Sequence, residues 1–318
     1  MDQPTAELQA SLDVARKQFL ATMGELRPKL HRFCTRMCGS SLDGEDVVQE
    51  VLAQAFYNLP MLRDQSRLEP WLFRIAHHKC VDLLRREKRL REDTVAHEEA
   101  EQAESSSSEA ANESLGEPIG ETLAPLVIEL PPKERAAVLL KDVLQYKLSE
   151  VAEIVESTVA GVKAALHRGR SKLRELHARP PGLGGAELDH HQRTLLTAYV
   201  DCFNRRDWDA LRRLIQADAT LDVLERYAGP MANANYFGNY GALPWEWKLS
   251  LGRVDGEPVI LHWKRLGAEW RPHAAIRLWW RDGKVSRIRD YLHVDYVLQG
   301  ATTEPDGEAD ENPAVDAP

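Results

Sequence analysis

Three adjoining stretches decide how this chain reads: Glu150-Val-Ala-Glu-Ile-Val155, then Glu156-Ser-Thr158, then VAGVKAALHRGRSKLREL from Val159 to Leu176. The first predicts a short amphipathic helix, the second a tight turn, the third a longer helix. In the longer helix Val159, Val162, Leu166 and Leu173 follow one another at spacings of 3, 4 and 7, which is one helical face. Lys163, His167, Arg170 and Arg174, at spacings of 4, 3 and 4, lie on another. Between Lys163 and Arg179 there are six basic residues and one acidic residue, Glu175. A short helix, a turn and a second helix with a basic face suit the DNA major groove, where Lys and Arg meet phosphates or guanine edges. A solvated basic helix in an ordinary bundle would carry the same spacing, so the pattern alone leaves both readings open.

Overall charge points the other way at first. The chain has 318 residues, enough for two or three domains, and a formal net charge of −9. Nucleic-acid binding usually needs a positive footprint. The acidity is partitioned, however. Nine acids and no Lys or Arg lie between Asp93 and Leu123, and six acids, again without Lys or Arg, lie between Gln299 and Pro318. Setting those fifteen acids aside leaves the remainder at +6. The parts expected to fold are basic, and the acids sit in a linker and a tail.

No run approaches the ~18 apolar residues of a membrane-spanning helix. The start, MDQPTAELQASLD, has neither a basic nor an apolar region of a secretory signal. The four cysteines, Cys34, Cys38, Cys80 and Cys202, make no disulfide framework. The expectation is a cytoplasmic protein without membrane contact.

Composition sets the boundaries. Residues 1–92 read as helical and 93–123 as an acidic flexible linker with Ser105 to Ser108 in a row. Residues 124–179 read as helical, 180–189 as a Pro- and Gly-rich linker, and 190–298 as two helices followed by strands. Residues 299–318 read as a disordered acidic tail. Asp282-Gly283 between two apolar runs predicts a hairpin.

In the N-terminal part, Asp43-Gly-Glu-Asp46 opens a helix with an acidic first turn. Val48, Val51, Leu52, Ala55 and Phe56 are its expected core face, and Asp46, Gln49 and Glu50 its polar face. Spacing alone suits that acidic face to solvent or to a basic partner. Glu69-Pro-Trp71 starts another helix, with Leu72, Ala76, Cys80 and Leu83 as the buried stripe and Arg74, His78, Asp82 and Arg85 roughly opposite. It ends in the dense basic run Arg85 to Arg91. Basic charge beside Trp71 suits phosphates and an unpaired base, although a lone Trp is more often core. His31, Cys34 and Cys38 lie at helical spacing, with His77, His78 and Cys80 elsewhere, but no strong zinc pattern results and buried thiols are expected.

Asp43-Gly-Glu-Asp-Val-Val-Gln-Glu-Val-Leu-Ala-Gln-Ala-Phe56, Trp71-Leu-Phe-Arg-Ile-Ala-His-His-Lys-Cys-Val-Asp-Leu-Leu-Arg-Arg86 and Leu130 to Arg170, in that order, resemble the sigma-70 family, specifically its extracytoplasmic-function (ECF) sigma factors. The resemblance implies an all-α sigma-2 domain and an all-α sigma-4 helix-turn-helix domain. It implies that Asp46, Gln49 and Glu50 contact core RNA polymerase through the β′ clamp, with β and β′ as partners. Trp71, Arg74, His78, Lys79, Arg85 and Arg86 would melt and read the −10 element of promoter DNA. Thr158, Lys163, His167, Arg168, Arg170 and Arg174 would read the −35 element, and the acidic linker would thread a basic channel of the polymerase. The chain departs from the family pattern at His78, where Asn is frequent, and at Glu156, where Gly is usual.

Leu195 to Ile215, Asp255-Gly-Glu-Pro-Val-Ile260 and Leu278 to Ile288 resemble a SnoaL-like cone, so the expected C-terminal fold is α+β. Such a domain would regulate the sigma factor in cis, by intramolecular contact or through a small molecule. The signatures Trp-Leu-Pro-Glu-Pro and Asp-Gly-Gly-Gly of known cone-bearing groups are absent. Seven of the eight Trp lie in this region, enough to line a pocket, and His262, Asp290 and His293 are candidate cone-interior residues. Fold analogy confers no chemistry. The expectation is therefore no enzyme, no catalytic residues, no metal and no cofactor. The alternative is a DNA-binding regulator whose cone senses a ligand or acts as an enzyme.

Overall fold

The computed structural model describes residues 22–58, 64, 67–95, 127–177 and 190–306. Side chains of 90–95 and 177 are not described, and most of the expected linkers at 93–123 and 180–189 lies outside the described residues. The chain forms two units, Met1–Pro181 and Gly182–Pro318.

The first unit begins with α1 (residues 22–38), α2 (Ser41–Asn58) and α3 (Leu68–Val95). Leu30, Phe33 and Met37 of α1, Val48 and Val51 of α2, and Leu72, Phe73, Ala76 and Cys80 of α3 share one core. Phe56, expected in it, is 56% exposed. The stripe runs through positions 48, 51 and 55, and residue 56 lies about 100° round the helix from 55. Helices α1 and α2 approach closely at Gly44, where a Cβ would lie 2.6 Å from the Thr35 backbone nitrogen. Beside that crossing Glu45 is fully buried, with Arg27 Nη2 at 2.6 Å and His31 Nδ1 at 3.2 Å. Burial pushes the Glu45 carboxyl up, but His31 and Arg27 together hold it below its ordinary value. Helix α3 runs to Val95 and so takes in the first three residues of the expected linker.

The second helical part has α4 (Pro132–Val138), a π-turn (Leu139–Val143), α5 (Leu148–Ile154) and α6 (Val159–His177). Pro132 sits where a first-turn proline is tolerated. The Glu150 carboxylate accepts the Lys147 N–H at 2.7 Å and starts α5. Val138, Leu140, Ile154, Val162, Leu166 and Leu173 join the core of α1–α3. Arg135 is buried in this core. Its guanidinium donates to the carbonyls of Met37, Ile128 and Leu130.

In the second unit α7 (His190–Asn204) and α8 (Trp208–Leu214) lead into β1 (Ile215–Val223) and β2 (Tyr227–Pro230). After the short α9 (Tyr236–Gly241) come β3 (Trp247–Val254), β4 (Glu257–Leu266), β5 (Glu269–Arg281), β6 (Lys284–Asp290) and β7 (Thr303–Pro305). The seven strands form one sheet in the order β2-β1-β6-β5-β4-β3-β7, with β1 and β6 parallel and the other pairs antiparallel. Asp282 and Gly283, at φ 52° and 71°, make the predicted two-residue hairpin between β5 and β6. Irregular register at His262/Trp263 and Trp279/Trp280 bends β4 and β5. Tyr199, Phe203, Leu211, Leu221, Ile260, Ile276 and Ile288 fill the core. Asn204 clasps β3 both ways, donating to Leu249 O at 2.9 Å and accepting from Leu249 N at 2.8 Å. The expected classes, all-α and then α+β, are those observed.

The tail is a correction. Rather than disorder from 299 onward, Thr303–Pro305 pairs with β3, whose outer edge would otherwise leave backbone groups unpaired. Residues 307–318 lie outside the described residues.

Replacing Arg135 removes the donor to three carbonyls at once. Arg135→Leu should lower the stability of the first unit by about 3 kcal/mol, read by urea unfolding of the full chain, because stranded buried acceptors cost ~1–3 kcal/mol each before relaxation.

Candidate nucleic-acid interface

Helices α5 and α6 form the helix-turn-helix that the spacing predicted. Val151, Ile154, Val162, Leu166 and Leu173 bury its inner side. Thr158 accepts the Gly161 N–H at 3.0 Å and caps α6, which gives it a structural task at the helix start. Lys163, His167, Arg168 and Arg174 are exposed. Arg168 pairs with Glu134 at 2.7 Å. Val159, expected on the apolar face, is 40% exposed.

Arg170 corrects the sequence reading. It is buried rather than on the exposed basic face, and it meets the buried Asp142 through Nε (2.9 Å) and Nη2 (2.5 Å). The bidentate geometry is the strong form of this pair. Asp142 comes from the π-turn after α4, a widened helical turn. Arg170 therefore fastens α6 to the core.

The turn before α6 is unusual. Glu156 has φ 49°, the left-handed region in which a side chain costs about 1–2 kcal/mol. Gln145, before α5, shares this conformation at φ 60°.

Along α3, His78 is exposed and Arg74 half-buried. Trp71 is half-buried and packs on the helical core. Arg85 and Arg86 are exposed, with Arg85 3.7 Å from Asp82. His77, the neighbour of His78, is buried, and burial lowers its pKa to about 4, so the ring is neutral at pH 7. Lys79 pairs with Glu50 of α2 at 3.0 Å. One residue expected on DNA and one expected on the polymerase thus meet each other. Gln49 donates to Glu45 at 2.8 Å, and Asp46 is half-buried.

Cys34 and Cys80 are buried and Cys38 half-buried. All three thiols are raised above their ordinary values. Burial is the leading cause for Cys34 and Cys80, and a hydrogen bond with Cys80 for Cys38. They are protonated, unreactive thiols at neutral pH. Among the described residues no group of three or more His, Cys, Asp or Glu is placed to hold a metal ion.

In the second unit Asp290 and His293 border a cavity of about 360 Å³ whose wall also includes Tyr236, Tyr240, Leu221 and Arg226. Asp290 is fully buried. Its Oδ2 accepts the hydroxyls of Tyr236 (2.8 Å) and Tyr240 (2.7 Å), and its Oδ1 accepts Leu292 N (2.9 Å). Burial raises the Asp290 carboxyl above its ordinary value in spite of these donors. His262 is buried outside the cavity lining, stacked on Trp247, and burial followed by the charge of His273 lowers its pKa to about 3. Burial lowers His293 as well. Tyr236, Tyr240 and His273 escaped the sequence reading. The i, i+4 tyrosine pair on α9 was the available signal for the first two.

The family description "Sigma-70 region 2" matches residues 23–90, and "Sigma-70, region 4" matches residues 123–173. The chain is 30% identical over 231 residues to the ECF RNA polymerase sigma factor SigG of Mycobacterium tuberculosis, covering 66% of this chain and 62% of that protein's length. It is 31% identical over 182 residues to the ECF RNA polymerase sigma factor SigD of Mycobacterium bovis, covering 55% of this chain and 82% of the relative. Among solved structures, that of the extracytoplasmic function sigma factor SigJ of Mycobacterium tuberculosis aligns with 85% of this chain and 95% of its own, at 17% identity and a TM-score of 0.31.

Two substitutions separate structural from surface charge in α6. Arg170→Ala, which strands Asp142, should cost about 3–5 kcal/mol, and Lys163→Ala should stay within ~0.5 kcal/mol, both read by thermal or urea unfolding. For Asp290 the sign is set by its raised pKa. Its contribution to stability is complete below the unfolded value of ~3.9 and is lost as pH rises through the folded value. Unfolding of the second unit followed against pH should show this decline, and Asp290→Asn should flatten it.

Proposed function

The chain belongs to the ECF RNA polymerase sigma factors, and on that premise we propose that it binds core RNA polymerase and directs promoter recognition and transcription initiation. The observation that carries this reading is the order of two elements: a region 2 match at 23–90 with a basic α3, then a region 4 match at 123–173 with a helix-turn-helix whose Lys163, His167, Arg168 and Arg174 are exposed. In this reading Asp46, Gln49 and Glu50 face the β′ clamp, with β as the second polymerase contact. Trp71, Arg74, His78, Lys79, Arg85 and Arg86 serve the −10 element. Lys163, His167, Arg168 and Arg174 serve the −35 element from the N-terminal and exposed sides of α6, with Thr158 as the cap. Arg170 is left out because it is buried on Asp142. The acids between Asp93 and Glu121 engage the polymerase without stabilising either folded part.

The protein acts as a binding factor without catalysis, in the cytoplasm. Among the described residues no helix is long and apolar enough to cross a membrane. The second unit regulates the first in cis. The cavity at Asp290 favours a second reading of that unit, in which a small molecule bound there sets the regulation.

Purified chain mixed with core polymerase should give promoter-specific transcripts from genomic fragments in vitro. Absence of any association with core defeats the proposal. Lys163→Ala and Arg174→Ala should each reduce the slope of log affinity against log salt by about 1, as expected for one lost phosphate contact. Removing residues beyond Pro180 should change transcript yield strongly, and an unchanged yield would refute regulation in cis.

A further inference from the structure

The cavity beside Asp290 is polar at both extremes, but with opposite chemistry. Its buried end holds the oxygens of Asp290, Tyr236 and Tyr240, three side chains almost closed to solvent. Its open end is marked by the lining residues that are exposed, Arg226 and the amides of Asn233, Asn235 and Asn239. Leu221, Leu243 and Leu292 belong to the rest of the wall. At ~30 Å³ per non-hydrogen atom, the share of a water molecule in the liquid, the cavity of about 360 Å³ takes about a dozen such atoms. That is the space of a small organic molecule.

The buried end selects what can enter. Both phenolic hydroxyls converge on Asp290 Oδ2, at 2.8 Å from Tyr236 and 2.7 Å from Tyr240, and Oδ1 accepts the Leu292 N–H. With Asp290 ionised, both phenols donate to it, and the lone pairs left on the three side chains call for a donor. With Asp290 protonated, the extra proton in the trio calls for an acceptor. A hydroxyl donates and accepts, so it meets both states. A carboxylate there would face lone pairs or a like charge. An ammonium needs the ionised form, which burial opposes by raising the Asp290 carboxyl. The open end selects differently. Arg226, in the turn between β1 and β2, forms no ion pair among the described residues. Burial, and next the charge of Arg226, lower the pKa of His293 in the same wall, so that ring is neutral at pH 7 and adds no charge. A guanidinium without a partner beside an apolar wall suits a carboxylate, which it can hold through two parallel N–H donors.

We propose that the cavity beside Asp290 binds a small hydroxy acid with an apolar body, its hydroxyl on the Asp290–Tyr236–Tyr240 trio and its carboxylate on Arg226. This assigns a ligand class to the small-molecule reading of the second unit, and the regulatory role of the ligand rests on that reading.

The test titrates the full chain with three rigid probes of this size in a calorimeter. They are 6-hydroxy-2-naphthoate, 2-naphthoate, which lacks the hydroxyl, and 2-naphthol, which lacks the carboxylate. The hydroxy acid should bind on the order of tenfold tighter than either of the others, because each loses one hydrogen-bonded contact. Arg226→Gln, at an exposed position, should bring the hydroxy acid down to the affinity of 2-naphthol. Leu243→Trp, which fills the cavity from a half-buried position in its wall, should abolish binding of all three. If that variant unfolds, Arg226→Gln and the three probes still decide. No binding by any probe overturns the proposal, as does 2-naphthoate binding as tightly as the hydroxy acid. Unchanged affinity in Arg226→Gln, or binding that survives in folded Leu243→Trp, overturns it too, since the probe then sits elsewhere. In vitro transcription separates the two readings. Binding in the expected pattern with transcript yield unmoved by saturating 6-hydroxy-2-naphthoate upholds the ligand class and defeats regulation by that ligand. A yield that changes on removing residues beyond Pro180, with no probe bound by the full chain, upholds regulation in cis and defeats the ligand class.

Discussion

Arg135 enters the core of the first unit and, among the described residues, makes its hydrogen bonds to carbonyls rather than to a carboxylate. Its charge is carried by carbonyl oxygens: Ile128 and Leu130 just before its own helix, and Met37 in the last turn of α1. Carbonyls at a helix end lack intrahelical partners and stand at the negative pole of the helix dipole. The guanidinium satisfies them and is in turn kept charged, although burial lowers its pKa. One residue thereby fixes α4 against α1, and α6 follows because Arg170 holds it to the π-turn that continues α4. The position of the helix-turn-helix, and with it every contact that helix pair makes with α3, depends on this buried cation.

Much of the architecture was legible because its causes are local. The turn at 156–158, the apolar stripe of α6 and the Asp282-Gly283 hairpin are all set by residues within one or two turns of each other. The role of Arg170 was hidden because its partner, Asp142, lies 28 residues away on a π-turn that periodicity does not reveal. Phe56 and Val159 were misplaced for a related reason. Each lies at the margin of an apolar stripe, where burial depends on which neighbour packs there. The strand Thr303–Pro305 carries no pattern of its own and is specified by the edge of β3.

The polar residues of the second unit show the same division. Asp290 was legible as a candidate interior residue. The tyrosines that hold it were not, because they arrive from α9, some fifty residues earlier. A carboxyl buried with two phenolic donors has most of its hydrogen-bonding capacity taken up, which makes it part of a rigid wall. His262 is neutral for a different reason, being packed among aromatic rings. Although both residues are interior, only Asp290 borders the cavity.

The ends of the seven-stranded sheet share a chemistry. Its outermost strands are β2, four residues long and ending in Pro230, and β7, three residues long and ending in Pro305. Short edges closed by proline offer few free donors to an incoming strand. The second unit is thus guarded against strand exchange and fibril-like stacking between copies.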